Sequence, residues 1–315
     1  MSENTKIYSQ MRSDFYKKYN SKIVPLVQKY EETRGRKLFL AVLLSATSTI
    51  IGLVILLYSH NISIEDNDIF FKLAFLFFGL AFYVWYKIKK SFEKEVKEEI
   101  MPIVCDCLGN LKWTTGYYSG GNIFSDSYAV PNFEYEIYDD IFQGSYKDVN
   151  IDIIEAKFKE IYYKRGRKRK RTVFKGVIVK LDMNKSFTGH TVIQPSSLIK
   201  LAPSKKLHYT TLEDVAFNKR FDVYTNDEVD ARYLITPTFM ERLKNVKIAF
   251  SAQDMGCVFY ENFLLITLPS NKDIFSICSL VKKMDDSRQY FKMYEEILTV
   301  IKLIDHLKMY QKIGL

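Results

Sequence analysis

Two apolar segments near the start of the chain constrain its fold more than any other feature. The first, residues 38–58, contains 21 residues and no charged side chain. At about 1.5 Å per residue, a helix of this length crosses the roughly 30 Å hydrocarbon layer of a bilayer. The second, residues 69–86, carries one charge, Lys72, near enough to its start for the ammonium group to reach the interface. Because the two segments are adjacent, we predict a transmembrane hairpin rather than a buried core helix.

The flanking charges predict how this hairpin is oriented. Loop 59–68 contains Glu65, Asp66 and Asp68 and no lysine or arginine. The outer flanks are basic, with Arg34, Arg36 and Lys37 before the first span and Lys87, Lys89 and Lys90 after the second. The positive-inside rule then places both termini in the cytoplasm. We expect an anchor and not a cleavable signal peptide, since 37 residues precede the first span and its apolar stretch is long.

The first span carries small residues at four-residue spacing. Ser45 and Thr49, and Ser48 and Gly52, form two such steps, which let helices approach closely in lipid. We expect them to pack against the second span, and oligomerisation through the same face is the alternative. A channel is disfavoured because no charge lies at mid-span.

Amphipathic helices are predicted on both sides of the anchor and at the end of the chain. Segment 1–37 has apolar residues at three- and four-residue steps, with a break predicted around Asn20, Ser21 and Pro25. Segment 87–112 continues the second span as a juxtamembrane helix interrupted near Pro102, and pairs with the N-terminal helix as a stalk. Segment 272–315 contains a long helix at 287–309 that covers the sheet or the stalk or binds a partner. Binding to the lipid surface is the alternative use of the N-terminal helix.

Between residues 113 and 271 the apolar period changes to that of a strand. Val149, Ile151 and Ile153 alternate with polar residues, and the apolar phase then shifts by one at Ile154. This shift predicts a bulge or bend between Ile153 and Ile154. Further strands are predicted at 172–183, 246–250, 258–260 and 263–268, with a tight turn at 261–262. The sequence therefore predicts an α+β protein with a β-rich cytosolic domain.

The positive charge of the chain is concentrated in one octet, residues 164–171. Its basic residues are Lys164, Arg165, Arg167, Lys168, Arg169, Lys170 and Arg171. The net charge is +9, so the rest of the chain carries only +2, nine less seven. Since strands flank the octet, we predict a β-hairpin with a cationic tip that contacts anionic lipid or an acidic partner. The alternative is a solvated turn that prevents edge aggregation. Nucleic acid is disfavoured because the octet contains no aromatic residue.

A motif at 217–243 reads FNKRFDVYTNDEVDARYLITPTFMERL. It resembles the signature of a bacterial family known as domain of unknown function thirty-one thirty-seven. The F-K-G after the basic octet, the F-T-G-H-T-V at 187–192 and the paired N-terminal spans are also similar to that family. Asp230 departs from the pattern, where glutamate is more usual. The resemblance implies an inner-membrane protein and an association with LemA-type membrane proteins, and it carries no established activity.

Physically, the motif is typical of structural residues. Thr236 is expected to cap a helix whose first residue is Pro237, and Asp227 to cap a shorter turn before it. Asp230 and Arg232 are expected to pair with neighbouring elements, or with Arg242 and Glu241 respectively. We favour a buried ionic network between helices and sheet over a catalytic dyad.

Enzyme signatures are weak in this sequence. It contains no phosphate-binding loop, zinc-protease motif, nucleophile elbow or dinucleotide-binding glycine pattern. Cys105 and Cys107 form a C-x-C without a second ligand pair, and a dyad of Cys257 with His190 or His208 is disfavoured. No cofactor or metal is predicted. We expect a membrane-tethered binding or scaffold module, with an enzyme of unrecognised class, or an oligomeric sensor or channel, as alternatives.

Overall fold

Long helices form the described residues from Glu3 to Ser59 and from Asn67 to Cys105. Helix α1 (Glu3–Lys18) leads through a π-helical turn (Tyr19–Ile23) into α2 (Val24–Ser59), and α3 (Asn67–Cys105) follows. The π-turn lies at the predicted break. Pro25 has no N–H to donate to the carbonyl of Ser21. The side chains of Asn20 and Ser21 in turn donate hydrogen bonds to the carbonyls of Tyr16 and Lys17 (3.0 and 2.8 Å).

The structure is a computed structural model and describes residues 3–59, 67–183, 189–196 and 203–306. Most of the predicted loop 59–68 and the end of the predicted C-terminal helix lie outside the described residues. The chain forms two compact units by internal contact. One contains residues 12–103 and 276–289, and the other contains 1–11, 104–275 and 290–315.

Within the helical unit, α2 and α3 pack closely along the small residues of the first apolar segment. Ser45 Oγ donates to the Ala81 carbonyl (3.1 Å) and Ser48 Oγ to the Phe77 carbonyl (2.8 Å). A Cβ on Gly52 would lie 3.0 Å from the Phe78 ring. These contacts confirm that the small residues pack within the hairpin.

Beyond the apolar segments, the same two helices stay paired through polar and aromatic contacts. Lys37 Nζ lies 2.6 Å from a Glu95 carboxylate oxygen, and the rings of Tyr30 and Phe92 meet edge to face at 6.2 Å. The segments before the first span and after the second therefore pair side by side. The predicted interruption near Pro102 is wrong, since α3 runs through it to Cys105. Pro102 lies in the last turn, and the helix continues for only three residues beyond it.

The other unit is built on one antiparallel sheet in the order β1-β2-β3-β4-β9-β8-β5-β7-β6. Its strands are β1 (Lys112–Gly116), β2 (Tyr135–Tyr146), β3 (Val149–Lys164), β4 (Arg167–Asp182), β5 (Thr191–Pro195), β6 (His208–Thr210), β7 (Phe221–Thr225), β8 (Gly256–Tyr260) and β9 (Phe263–Pro269). Its helices are α4 (Asn122–Asp126), α5 (Val215–Asn218), α6 (Glu228–Leu234), α7 (Pro237–Ala249) and α8 (Arg288–His306). The α+β class is confirmed.

Two strand predictions require correction. The stretch 246–250 ends helix α7 instead of forming a strand, because Thr236 starts a helix on which Phe239, Leu243 and Val246 share the buried face. The predicted bulge lies in β2, where Asp139 and Asp140 oppose a single residue of β3. At Ile153 and Ile154, strand β3 pairs with β4 in continuous register. The apolar phase shifts at this point because β3 is buried on both faces over residues 153–156.

Candidate functional site

The basic octet lies at the end of a β-ribbon that extends beyond the sheet. Strands β3 and β4 pair as far as Lys164 and Arg167, joined by a two-residue turn in which Arg165 and Gly166 have φ of 52° and 72°. Strand β2 leaves β3 at Lys159, and β9 meets β4 only from Gly176 onward. Residues 160–171, here called the arm, therefore form a two-stranded ribbon roughly 17 Å long. The predicted hairpin with a cationic tip is confirmed.

Two of the seven cations in the octet are engaged at the base of the arm. Arg171 forms an ion pair with Glu160 across the two strands. The ammonium of Lys170 lies 3.3 Å from the centre of the Tyr135 ring. The Glu134 carboxylate also accepts the backbone N–H of Ile161 at 2.7 Å, which satisfies one edge donor of β3. These contacts fix the direction in which the arm leaves the sheet.

The other five cations form the arm tip: Lys164, Arg165, Arg167, Lys168 and Arg169. All five are exposed. In the described part of the chain none of them lies within ion-pairing distance of a carboxylate. Tyr163, beside them, exposes 73% of its surface. The tip thus concentrates five positive charges and an aromatic ring within a few residues of a tight turn.

Cross-strand pairing places tyrosines among these charges, which the linear sequence does not show. Tyr162 lies opposite Arg169, and Tyr163 opposite Lys168. Side chains of directly paired residues project from the same face of a ribbon, with Cβ atoms about 5 Å apart. Each face of the arm therefore presents one tyrosine beside a cation. The octet itself contains no aromatic residue, and the tyrosines beside its charges come from the strand that precedes it.

The family-motif residues form helix starts and loop contacts. Asp227 caps α6 by accepting the N–H groups of Val229 and Asp230 (3.0 Å each), and Thr236 Oγ1 caps α7 by accepting that of Phe239 (3.2 Å). Pro237 is the first residue of α7. Both predicted caps are confirmed.

The charged pairs within the motif differ from those expected. Asp230 accepts the backbone N–H of Gly189 at 3.0 Å, and Arg232 lies 3.5 Å from Glu228 on the same helix. Across residues 203–306, neither Asp230 with Arg242 nor Arg232 with Glu241 forms an ion pair. The Arg242 Nε atom is buried without a hydrogen bond. Among the described residues, the predicted buried ionic network therefore does not form, because Asp227 and Asp230 accept backbone N–H groups instead.

A mixed cleft of about 610 Å³ lies beside the motif. Its apolar wall includes Phe217, Phe221 and Met240, and its rim carries both basic and acidic side chains. Lys247 on this rim lies 3.7 Å from Asp254. The opposing charges leave the cleft without a clear preference for an anion or a cation.

Three carboxylates that the sequence analysis did not group meet beside the β2 bulge. Oxygens of Asp140, Glu155 and Asp273 all lie within 4.8 Å of one another, and the first two side chains are buried. Glu155 accepts the N–H groups of Ile274 (3.1 Å) and Phe275 (3.4 Å). Burial, with the nearby charges of Asp273 and Asp140, raises the pKa of Glu155 to about 8. These oxygens are of the type that binds a hard cation, but a protonated Glu155 accounts for the cluster equally well.

The cysteines and histidines weighed as catalytic residues do not come together. His190 Nε2 lies 2.9 Å from the Ser127 carbonyl, and its ring stacks on Tyr128. His208 lies 3.5 Å from Glu228. Neither histidine forms a hydrogen bond with Cys257 in the described residues, and burial raises the pKa of that thiol well above its usual value. Burial also raises the pKa of Cys105 to about 12, so neither thiol is poised as a nucleophile.

Comparison with known proteins tests the motif directly. Residues 172–309 match the family model described as "Protein of unknown function (DUF3137)". The predicted resemblance is confirmed. No curated protein matches the chain. Among solved structures, the mycobacterial trehalose monomycolate transport factor A is similar at 8% identity and a TM-score of 0.31, over 58% of this chain and 91% of that one. A likeness at this level carries no argument. The DUF3137 match begins at residue 172, directly after the arm, and the two apolar helices precede it.

Proposed function

We propose that this DUF3137 protein is a membrane-anchored binding protein whose arm contacts anionic lipid headgroups. Helices α2 and α3 are long and apolar enough to cross a membrane. Their apolar segments expose large side chains, among them Phe82 (73%), Phe39 (69%) and Phe75 (67%). A core helix of a soluble protein buries such residues, so this exposure favours a lipid environment.

The sidedness of the proposed anchor rests on its flanking charges. Lysine and arginine lie outside the two spans and acidic residues lie between them, which favours cytoplasmic termini. The sheet and the arm follow the second span in the chain. They are therefore proposed to lie in the cytoplasm, beside the inner leaflet of the bacterial inner membrane.

The observation that carries the proposal is the arm tip, with its five cations that have no carboxylate partner in the described chain. A basic residue near an anionic leaflet contributes about 1 kcal/mol. Five such residues give a substantial attraction even when only some of them reach the surface. Because the arm belongs to a tethered protein, a weak contact with the same membrane is still well populated.

The test uses the full chain in lipid nanodiscs, with a donor dye on Tyr163→Cys and an acceptor dye on a lipid headgroup. All four native cysteines are buried, so labelling is directed to the introduced thiol. We expect an upward shift of energy transfer, which reports approach of the arm to the bilayer, in discs that contain phosphatidylglycerol and not in phosphatidylcholine discs. Replacing Arg167, Lys168 and Arg169 with serine should abolish the shift, and high salt should weaken it.

The matched control removes three exposed lysines elsewhere, Lys205, Lys206 and Lys219, and should leave the shift intact. An equal loss in this control would mean that overall charge, and not the arm, governs the contact. Absence of a shift in every disc would overturn the lipid proposal. An acidic protein partner would then be sought by crosslinking from position 163 in intact membranes.

A further inference from the structure

Strand β4 of the arm separates its arginines from its lysines. Strand β4 begins Arg167-Lys168-Arg169-Lys170-Arg171, and successive side chains of a strand point to opposite faces. The register with β3 places Arg167, Arg169 and Arg171 on one face, with Lys164, Tyr162 and Glu160 as their cross-strand partners. Lys168 and Lys170 lie on the other face, with Tyr163 and Ile161. The two faces therefore differ in the chemistry of their cations.

Glu160 and Tyr135 define which of these cations remain available. Arg171 is held by Glu160, and Lys170 lies over Tyr135. On the arginine face this leaves a patch of four residues, Tyr162, Lys164, Arg167 and Arg169, called here the arginine patch. On the opposite face only Lys168 remains. The accessible charge of the two strands is thus three on one face and one on the other.

The patch has the donors that a phosphate group requires. A guanidinium presents two parallel N–H groups that match two oxygens of a phosphate, whereas an ammonium acts as a point charge. Arg167 and Arg169 are two residues apart on one strand, so their Cα atoms are separated by roughly 6.8 Å. Tyr162 adds a phenolic hydroxyl beside Arg169. Two guanidinium forks, an ammonium and a hydroxyl therefore converge on one side of the ribbon.

We propose that the arm docks by its arginine patch, which binds the phosphate of a phospholipid headgroup through paired N–H···O bonds. This inference rests on the proposed lipid contact and adds to it a defined face and a defined chemistry. In docking by diffuse charge, arginine and lysine would be equivalent. In docking by the patch, exchanging arginine for lysine weakens binding although the net charge is unchanged.

The test exchanges cations without changing charge. The full chain carries the donor dye at Tyr163→Cys, on the face opposite the patch, so that the patch itself is unaltered. It is placed in discs with an acceptor-labelled lipid and increasing phosphatidic acid, and the mole fraction giving half of the shift in energy transfer is measured. R167K/R169K should raise this fraction about fivefold to tenfold, through loss of the paired bonds. K168R, on the other face, should leave it unchanged.

Three further measurements identify the ligand. Cholesteryl hemisuccinate, an anionic lipid with a carboxylate, should need a higher mole fraction than phosphatidic acid, and an equal response would overturn the phosphate assignment. Glycerol phosphate at millimolar concentration should not displace the arm from the discs. Displacement of the arm by glycerol phosphate would mean that the patch binds a free phosphate ester. Displacement by a short RNA at micromolar concentration would mean that it binds nucleic acid. Either result would overturn the proposal that the ligand is a lipid.

The outcomes separate the two levels of the proposal. If the wild-type arm never responds to anionic discs, the lipid contact itself fails. If the wild-type arm responds and R167K/R169K responds equally, the lipid contact stands and the arginine patch is overturned.

Discussion

At the residue scale, the buried carboxyl of Glu155 predicts a specific dependence of stability on pH. Its pKa is raised to about 8 in the folded protein, against about 4.3 for a glutamate in an unfolded chain. Between these values the folded state holds a proton that the unfolded state has lost. Stability is therefore greatest below the lower value and falls as the pH rises toward 8, by roughly 1.4 kcal/mol per pH unit at most.

Urea unfolding of the full chain in neutral micelles between pH 5.5 and 8.5 measures this slope. Glu155→Gln, which stays neutral, should flatten it, whereas Glu213→Gln at an exposed position should not. Glu296, for which burial raises the pKa to about 7, acts in the same direction, so a slope remains in the Glu155 variant. A slope identical to that of the wild type would show that Glu155 is ionised in the folded protein.

A second residue-scale prediction concerns Asp305, a buried carboxylate on α8. It accepts hydrogen bonds from the hydroxyls of Tyr8 (2.7 Å) and Tyr146 (2.9 Å), and Lys147 Nζ lies 2.6 Å away. Asp305→Ala leaves these donors without their acceptor and should lower the free energy of unfolding by about 2 to 4 kcal/mol. Glu98→Ala, which removes an exposed helical pair with Lys94, should cost under about 0.5 kcal/mol. Chemical denaturation measures both.

Sequence reasoning could not find either of these sites. Tyr8 and Asp305 are 297 positions apart, and only the packing of α1 and α8 brings them together. Glu155 did leave a local signal, because it lies just after the point where the apolar phase shifts. That shift was interpreted as a bulge in β3. It instead marks a strand buried on both faces, beside a bulge in β2 that carries Asp140 toward Glu155.

At the scale of the element, the β3–β4 hairpin contains two glycines that are required for different reasons. Gly166 forms the turn with φ of 72° and has open space around it, whereas Gly176 has φ of 151° and faces the backbone of β9 at Leu268 and Pro269. Gly166→Ala should cost about 1 kcal/mol of stability through its backbone conformation alone. Gly176→Ala adds a collision with backbone that cannot move aside, and should cost about 2 to 4 kcal/mol. Denaturant midpoints compare the two, and equal costs would contradict this account.

The parts of these elements that depend on neighbouring residues could be predicted from the sequence. The hairpin, the caps at Asp227 and Thr236 and the turn at Glu261-Asn262 follow from neighbouring residues and are present. Residues 246–250, which the sequence analysis predicts as a strand, include β-branched and aromatic side chains that favour strands. The helix that begins at Thr236 overrides that propensity because its apolar residues recur at helical spacing. Tyr162 and Tyr163 directly precede the octet in the sequence, but their position among its charges was not predicted, because cross-strand pairing is not visible along the chain.

At the scale of the whole molecule, the order of the strands could not be read from the sequence. Strand β5 pairs with β8 and β7, and β9 lies beside β4, so neighbours in the sheet are far apart in the chain. Hydrophobic period specifies that strands exist and not which of them pair. The apolar spans, in contrast, depend only on local composition, so two long helices were predicted correctly while their sidedness remains a prediction.

The sidedness of the two spans can be tested by thiol labelling of introduced cysteines, because the native cysteines are buried. Cys105, Cys107, Cys257 and Cys278 are each at most 8% exposed, so a membrane-impermeant maleimide should not label the folded wild-type chain. Ser63→Cys lies between the two spans and Tyr163→Cys on the arm. The charge asymmetry across the spans predicts labelling of Ser63→Cys in intact spheroplasts. Tyr163→Cys should be labelled only after lysis. The reverse pattern would place the arm outside the cell, where it could not meet the inner leaflet, and labelling of both variants before lysis would exclude a membrane-spanning hairpin.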